Sequence, residues 1–340
     1  MTTGKRTRRP AAGKVALGIQ EATALATRAL QRVGYSKQEA SIITANLVDA
    51  ELCGYPALGL ARLLSIVEDP RARQERTPVA IVRETPVSAL IDGGNHVGLY
   101  ALHRAAEIAI DKASAVGMSL VGVHNSFFSG RNARYVEMIA RAGLACIHTA
   151  SGEPYMAALG GRVSELGTNP IAVGLPRDPD PLILDIGTSA IARSEAVLAA
   201  RIGRPLPRGV ALDDQGHPTR DAAAALLGTF LPFGGHKGFG LALIVQALGL
   251  LAGAALPRGR VQDFGFVFIS FDPGLLMPPE DYKRQLSALI ERIKKTPRQP
   301  GVDEIRIPSE RAFRARERGR REGLMIERAV HDQLMAFADP

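Results

Sequence analysis

The stretch GLYALHRAAEIAIDKASAVGMSLVGVHNS, residues 98–126, decides the fold class. Apolar residues recur at helical spacing as far as Gly117, and a short β-rich run follows at once. The same succession returns directly afterwards, where ARYVEMIARAG precedes LACIHTA. Helices that alternate with strands at this rhythm indicate an α/β sheet with helices packed on its faces.

The segments before this stretch are mostly helical. Residues 18–33 have helical apolar spacing, and a second helix begins at the capping signature of Ser36 and Glu39. The stretch AELCGYPALGLARLLSIVEDP, residues 50–70, predicts a third helix with apolar residues on one face. The runs VAIVRE and VSALIDG then predict two strands or a hairpin around a Thr-Pro turn.

After residue 260 the chain continues with the strand GFVFISFDP, a long helix and two further helical stretches. We therefore expect four segments: a disordered basic tail over residues 1–13, a helical region over 14–74, an α/β domain over 75–275, and C-terminal helices over 276–340. The C-terminal helices are expected to pack with the N-terminal helical region.

The net charge of +8 raises the question of nucleic-acid binding. One basic cluster, residues 4–14, is polar and rich in Pro and Gly, and the other, residues 311–323, has acids interspersed as on a solvated helix. No aromatic residues interleave with either cluster, which argues against nucleic acid as a partner. Attraction of anionic small molecules remains compatible with the charge.

Metal and disulfide chemistry find little support. The seven histidines include no pair spaced like metal ligands, so no metal site is expected. The two cysteines, Cys53 and Cys146, lie far apart among apolar residues, and buried reduced thiols in a cytoplasmic protein fit them best.

The apolar stretch GFGLALIVQALGLLAGAALP, residues 238–257, is nearly long enough to span a bilayer. It contains Gln246 and several glycines, and a helix buried on all sides in a large domain has the same pattern. We expect such a buried helix and no membrane span. The N-terminus has no apolar core behind its basic residues, so it is not a secretory signal.

Three loops combine small polar residues with the ends of apolar runs. They are ELGTNPIAVGLP (165–176), LILDIGTSAIAR (182–193) and GGHKGFG (234–240). No G-x-G-x-x-G follows the first strand, and each loop taken singly fits ordinary turn chemistry. Together, their hydroxyl, amide and lysine donors suit a phosphate-bearing ligand.

These stretches carry a resemblance to a known family. GTNPIAVGLP, LDIGTSAIAR, LPRGVALDDQGHPT, FGGHKGFGLAL and IRIPSERAFRARERGRREG occur here in the order found in the type-2 malate/L-lactate dehydrogenases. The resemblance runs from about residue 17 to the C-terminus and implies a non-Rossmann NAD(P)-binding domain with a mixed sheet, in a dimeric enzyme. It also implies that NADH or NADPH is bound by Thr168, Asn169, Pro170, Asp185, Thr188, Ser189, Lys237 and Gly238.

The sequence also departs from the family's pattern at the expected acid. The family's Asp-Ser-His-Gly is Pro56-Ala57-Leu58-Gly59 here, so the histidine that protonates the substrate is missing. A second histidine position is Phe128, the family's Pro-Trp is Ala158-Leu159, and a common lysine is Glu195.

Two residues with catalytic roles in the family are retained. Arg62 is implied as the partner of a substrate carboxylate, although an arginine on a helix surface would look the same. Asp185, which supports the histidine in the family, is the second expected catalytic residue.

The missing histidine bears on the reaction. Reduction of a 2-oxo acid creates an alkoxide, where a positioned acid supplies about 10²–10⁴-fold, whereas a cyclic iminium nitrogen is already positive. We therefore expect a carboxylate-bearing cyclic imine, or a related C=N or C=O compound, as substrate. His124, His148 and His236 are candidates for a replacement acid. The alternative is a non-redox descendant that keeps the nucleotide site or uses the pocket for another reaction.

Overall fold

The protein is an α/β structure whose two chain ends meet. The computed structural model describes residues 13–256, 258–259 and 261–338, so the expected basic tail lies outside the described residues except for Gly13.

The helical N-terminal segment consists of β1 Lys14–Leu17, α1 Ile19–Arg32, α2 Lys37–Leu52 and α3 Leu60–Glu68. The middle of the chain contains β2 Ala80–Thr85, β3 Ser88–Val97, α4 Gly98–Val116, β4 Met118–Phe127, α5 Ala133–Arg141, β5 Ala145–Ser151, β6 Met156–Ala157, β7 Ser164–Leu166, β8 Ile171–Leu175, β9 Leu182–Ile186, α6 Arg193–Ile202, β10 Ala211–Leu212, α7 Ala222–Leu227, β11 Thr229–Phe230, α8 His236–Leu251 and β12 Gly265–Phe271. The C-terminal elements are α9 Pro279–Lys294, α10 Glu310–Glu322, β13 Leu324–Glu327 and α11 Arg328–Ala338.

A seven-stranded sheet forms the centre of the fold, in the order β2-β3-β4-β12-β5-β8-β9. Only β3 and β4 pair in parallel, because α4 connects them as a crossover helix, and the other neighbours are antiparallel. The mixed sheet implied by the resemblance is thereby confirmed, and VAIVRE and VSALIDG form its edge hairpin.

The chain ends form a second, helical layer. β1 pairs with β13 in antiparallel register, with Leu17 opposite Leu324, while α1 contacts α11 and α2 contacts α10. The capping box of Ser36 and Glu39 starts α2 as the sequence predicts. The helical region built from both chain ends is therefore confirmed, and the residue boundaries of the four expected segments stay predictions.

The prediction of one helix over residues 50–70 is wrong. α2 ends at Leu52, a 3₁₀ turn spans Pro56–Leu58, and α3 begins only at Leu60. Gly54 has a φ of 79°, a conformation that ends α2. Pro56, which has no backbone N–H, begins the 3₁₀ turn. This break places residues 55–58 in a loop rather than on a helix face.

The prediction for residues 238–257 is partly wrong. α8 spans His236–Leu251, and only one of its faces is buried, the one with Gly238, Ala242, Val245, Gln246 and Gly249. These mostly small residues let α8 lie close on β5 and β12, while Leu243 and Ile244 remain 51% and 60% exposed. Among the described residues, no helix is long and apolar enough to cross a membrane.

A small second sheet was not predicted. β10, β11, β6 and β7 form it in that order, and α6 and α7 pack beside it around a separate apolar cluster that includes Phe230. Each of these strands has only two or three residues, too few for a readable alternation of apolar and polar side chains.

Candidate functional site

A cavity of about 600 Å³ lies between the helical region and the ends of β5 and β9. Its walls come from the loop of residues 54–58, from Arg62 on α3, and from the segments 128–133, 150–155, 167–170, 183–187, 192–195 and 308–311. A volume of this size is in the range of small-molecule and cofactor sites, about 300–1,000 Å³.

The cavity wall contains five of the predicted site residues: Arg62, Thr168, Asn169, Pro170 and Asp185. The other four do not line it; they are Thr188, Ser189, Lys237 and Gly238. Hydrogen bonds nevertheless connect their loops to the loop that contains Thr168. The Thr188 N–H donates to the Thr168 carbonyl oxygen at 2.9 Å, and the Phe233 N–H donates to the Thr188 carbonyl oxygen at 3.1 Å. The three loops therefore form one surface beside the cavity.

Several of the predicted binding side chains connect the loops to one another. Asn169, with a φ of 31°, donates through Nδ2 to the Ala242 carbonyl oxygen and to Gln246 Oε1, each at 2.9 Å. The Thr188 hydroxyl donates to the Thr168 carbonyl oxygen at 3.0 Å, and the Ser189 hydroxyl donates to the protein backbone as well. A Cβ added at Gly238 would lie 2.5 Å from the Thr188 carbonyl oxygen.

Lys237 differs from these residues. It is exposed in the first turn of α8, where the helix dipole favours an anion. The backbone N–H groups of Lys237, Gly238 and Phe239 already donate to carbonyl oxygens of residues 233–235. The geometry therefore leaves the Lys237 side chain available to a ligand phosphate.

Arg62 is a buried cation without an acidic partner. Its side chain and backbone together are only 8% exposed, no carboxylate lies within 4 Å among the described residues, and its Nε has no hydrogen-bond partner. Burial lowers the pKa of Arg62 to about 10, and the charges of Arg193 and Arg201 act in the same direction. The site thus contains a desolvated positive charge that an anionic ligand would neutralise.

Asp185 is the buried carboxyl group at the other side of the cavity. One of its oxygens accepts the Ala133 N–H at 2.8 Å, at the start of α5. Burial raises the pKa of Asp185, while the backbone N–H groups of Ala133 and Asn132 and the charge of Arg131 oppose this rise.

A second set of charges was not predicted from the sequence. Arg71 is paired through its guanidinium with Asp69 at 2.7 Å and with Glu153 at 2.6 Å, and Glu153 lines the cavity. Burial raises the pKa of Glu153 although Arg71 favours its charged form. Glu153 lies 82 residues from Arg71 in the sequence, so no local pattern could have joined the two.

Four more arginines line the same cavity: Arg131, Arg193, Arg204 and Arg311. Arg193 lies over the ring of Tyr155 at 4.3 Å, and neither Arg193 nor Arg204 has a carboxylate within 4 Å in the part of the chain that the structure describes. Arg193 is the last residue of the motif LDIGTSAIAR, so the sequence contained a hint that it belongs to the site. Its position in the motif did not by itself distinguish it from a surface arginine.

The residues at the expected acid positions also lie in the cavity wall. Ala57, Leu58 and Phe128 are all lining residues, so the positions at which the sequence comparison expected a serine and two histidines have side chains without a proton donor. None of the three candidate replacement histidines lines the cavity. His148 is fully buried and stacked on Phe268 at 4.0 Å, and burial lowers its pKa to about 3.

Comparison with known proteins agrees with this geometry. The model of the malate/L-lactate dehydrogenase family matches residues 17–335. The chain belongs to the malate/L-lactate dehydrogenase family.

Its relatives cover nearly the whole chain. The malate/(S)-sulfolactate dehydrogenase of Methanothermus fervidus is 31% identical over 331 residues, 94% of this chain and 96% of that protein. The Delta(1)-pyrroline-2-carboxylate/Delta(1)-piperideine-2-carboxylate reductase of Pseudomonas aeruginosa is 32% identical over 340 residues, 96% of this chain and 100% of that protein. The structure of sulfolactate dehydrogenase from Methanocaldococcus jannaschii matches with a TM-score of 0.82 at 31% identity and covers 96% of this chain and 97% of that one.

The family membership confirms the resemblance and makes the protein an oxidoreductase. A nicotinamide cofactor, as expected, is the cofactor of its family. In the described part of the chain, no group of three potential metal-ligating side chains is close enough to hold a metal ion.

Proposed function

We propose that the protein reduces a carboxylate-bearing cyclic imine with NADH or NADPH. The observation that carries this proposal is that Arg62, a buried cation with no carboxylate within 4 Å among the described residues, lies in the same cavity wall as Ala57 and Leu58. The site can bind a carboxylate, yet the places of the usual acid are apolar. A substrate whose nitrogen is already protonated needs no acid there.

The residues have distinct proposed roles. Arg62 binds the substrate carboxylate through its two-pronged guanidinium, and Leu58 excludes water from the carbon that is reduced. Asp185, whose charged form is favoured by the Ala133 and Asn132 N–H groups and by Arg131 against the effect of burial, would as a carboxylate favour the protonated imine nitrogen over a neutral carbonyl group. The family relationship to a piperideine-2-carboxylate reductase supports the substrate class.

The cofactor is proposed to lie against the three joined loops, with Thr168, Asn169, Pro170, Asp185, Thr188, Ser189, Lys237 and Gly238 as its binding residues. The loops are hydrogen-bonded to one another, and the Lys237 side chain is exposed beside them, so these residues fit a phosphate-bearing dinucleotide. When bound, a reduced nicotinamide supplies the hydride. Because the Asn169, Thr188 and Ser189 side chains already bond within the protein, we propose that these three residues contribute to cofactor binding by shaping the loops.

A second candidate function has its own observation. Arg131, Arg193, Arg204 and Arg311 line the cavity in addition to Arg62, and several cations fit a substrate with a second acidic group. Such a substrate would be a 2-oxo acid with a second carboxylate or a sulfonate, and its reduction would require another acid.

The two candidates are separated by a substrate panel. Initial rates with NADH and with NADPH are measured for piperideine-2-carboxylate, pyruvate, oxaloacetate and sulfopyruvate. We expect turnover of the cyclic imine and little turnover of the three 2-oxo acids. Fast reduction of oxaloacetate or sulfopyruvate would favour the second candidate and show that a replacement acid exists.

Replacement of Arg62 tests its proposed role. Arg62→Lys keeps the positive charge but cannot form two parallel hydrogen bonds, so we expect KM for the imine to rise at least about tenfold. Arg284→Lys, on the exposed surface of α9, is the matched control. An unchanged KM in Arg62→Lys would mean that Arg62 does not bind the substrate.

We further propose a cytoplasmic homodimer that does not bind nucleic acid. Both cysteines are free and buried, which fits a reducing compartment. The exposed apolar face of α8 supports self-association.

A further inference from the structure

The ring of Phe128 is the group that faces the unpaired guanidinium of Arg62. The Arg62 Cζ lies 4.9 Å from the ring centroid, within the distance of a cation–π contact. Phe128 also lines the cavity, so the ring, the guanidinium and the ligand space meet at one place.

Arg71 approaches the same ring. Its Cζ lies 5.3 Å from the Phe128 centroid, and the salt bridges to Asp69 and Glu153 fix its position. The Phe128 ring is further packed edge-on against Phe127, at 5.4 Å, and Phe264, at 6.4 Å. Its backbone has a φ of 56°, a conformation that non-glycine residues rarely adopt, so the surroundings fix the ring strongly.

A neutral aromatic ring is well suited to this position. A carboxylate beside Arg62 would occupy the guanidinium and repel an incoming substrate carboxylate. A protonated histidine would repel both arginines. The face of a phenyl ring attracts the cation and restricts its orientation, yet it leaves the hydrogen-bonding edge of the guanidinium unoccupied.

We propose that Phe128 is a positioning residue, which orients the free Arg62 guanidinium toward a substrate carboxylate. The inference rests on the proposed role of Arg62 in carboxylate binding. It adds that Phe128 occupies the place beside Arg62 where an acidic side chain would otherwise lie. The aromatic ring at position 128 and the unpaired charge at position 62 then form one functional unit.

The test compares Phe128→Leu, which removes the ring, with Phe128→Tyr, which keeps it. Three quantities are measured: KM and kcat for piperideine-2-carboxylate, the Kd of pyridine-2-carboxylate with NADPH present, and the Kd of NADPH alone. In Phe128→Leu we expect KM and the carboxylate Kd to rise about tenfold, with kcat and the NADPH Kd within about twofold of the unaltered protein. In Phe128→Tyr we expect KM and the carboxylate Kd to equal those of the unaltered protein.

A ligand-free readout separates this inference from the proposed function. The ring should shift the Nε–H resonance of Arg62, assigned by its loss in Arg62→Lys, in a ¹H–¹⁵N NMR spectrum. We expect the shift to be retained in Phe128→Tyr and lost in Phe128→Leu. If the shift follows this pattern but pyridine-2-carboxylate does not bind, the proposed substrate class fails while Phe128 still positions Arg62.

Equal KM and carboxylate Kd values in Phe128→Leu and the unaltered protein would overturn the inference. It would also be overturned if Phe128→Leu lost NADPH affinity and carboxylate affinity to the same extent, because the ring would then only support the fold.

Discussion

At the scale of single residues, Glu51 is a carboxyl group whose surroundings oppose its charge. Its Oε2 accepts the Leu60 N–H at 2.9 Å, at the start of α3, and a Cβ on Gly59 would lie 2.1 Å from that oxygen. Burial raises the pKa of Glu51 to about 7, more than the Leu60 N–H and Lys14 lower it. The position therefore combines a helix contact with a proton that is released near neutral pH.

Glu51 should make the protein less stable as the pH rises. Between its ordinary pKa of about 4.5 and about 7, the folded state retains a proton that the unfolded state releases, so the free energy of unfolding falls by up to about 3 kcal/mol. Glu51→Gln has no charge and can still accept the Leu60 N–H. The free energy of unfolding is measured with urea at two pH values. We expect it to be higher in the variant than in the unaltered protein at pH 8 and equal in the two at pH 4.5.

The exposed Glu280 on α9 provides the control, since Glu280→Gln should change stability little at either pH. A stability difference between Glu51→Gln and the unaltered protein that does not depend on pH would contradict the prediction.

Single residues of the site were predictable only where a motif frame exists. The frame around Pro56-Ala57-Leu58-Gly59 predicted that this loop and Arg62 belong to the site, and Ala57, Leu58 and Arg62 all line the cavity. Glu153 and Arg71 have no such frame, because their contact joins positions 82 residues apart.

At the scale of elements, α8 is positioned by glycines. A Cβ added at Gly238 would lie 2.4 Å from the Phe233 carbonyl oxygen and 2.5 Å from that of Thr188, whereas one added at Gly240 meets no atom within 4 Å. The first glycine lets the helix start contact the loop after β9, and the second has no such role.

Gly238→Ala should separate these elements. Because backbone oxygens would clash with the new methyl group, we expect a stability loss of about 1–3 kcal/mol and NADPH binding at least about tenfold weaker. Gly240→Ala, in the same helix, should bind NADPH normally and gain about 0.5–1 kcal/mol from helix propensity. Thermal unfolding and calorimetric titration measure both effects, and equal behaviour of the two variants would refute this role of Gly238.

The long helices and strands could be predicted from their apolar periodicity. Which face of α8 is buried and which is exposed could not. Its residues are apolar all round, and the buried side is selected by small residues, Ala242 and Gly249, that allow close approach to the sheet. The two-residue strands β10 and β11 depend on pairing with distant partners, which local sequence does not encode.

At the scale of the whole molecule, apolar side chains are exposed both on α8 and on β4. Leu243 and Ile244 on the helix are 51% and 60% exposed, and Met118 and Leu120 on β4 are 45% and 48% exposed. Apolar patches of this kind on a folded protein mark interaction surfaces.

We predict that the exposed face of α8 forms the contact of the proposed homodimer. The unaltered protein should have twice the 36.2 kDa mass of the chain in size-exclusion chromatography with light scattering. Ile244→Glu should shift it to the monomer mass without loss of helical circular dichroism, because a charge in an apolar interface is costly. Leu289→Glu changes an exposed leucine on α9 and should remain dimeric. A dimeric Ile244→Glu variant would place the contact elsewhere.

The pairing of β1 with β13 has a consequence for synthesis on the ribosome. Leu17 leaves the ribosome early, but its partner Leu324 is translated about 300 residues later. At a translation rate of roughly 5–20 residues per second, about 15–60 s pass between the synthesis of β1 and that of β13, its only neighbouring strand among the described residues. During that time α1 also lacks the apolar surface of α11, so the nascent chain exposes the binding surface on which chaperones act.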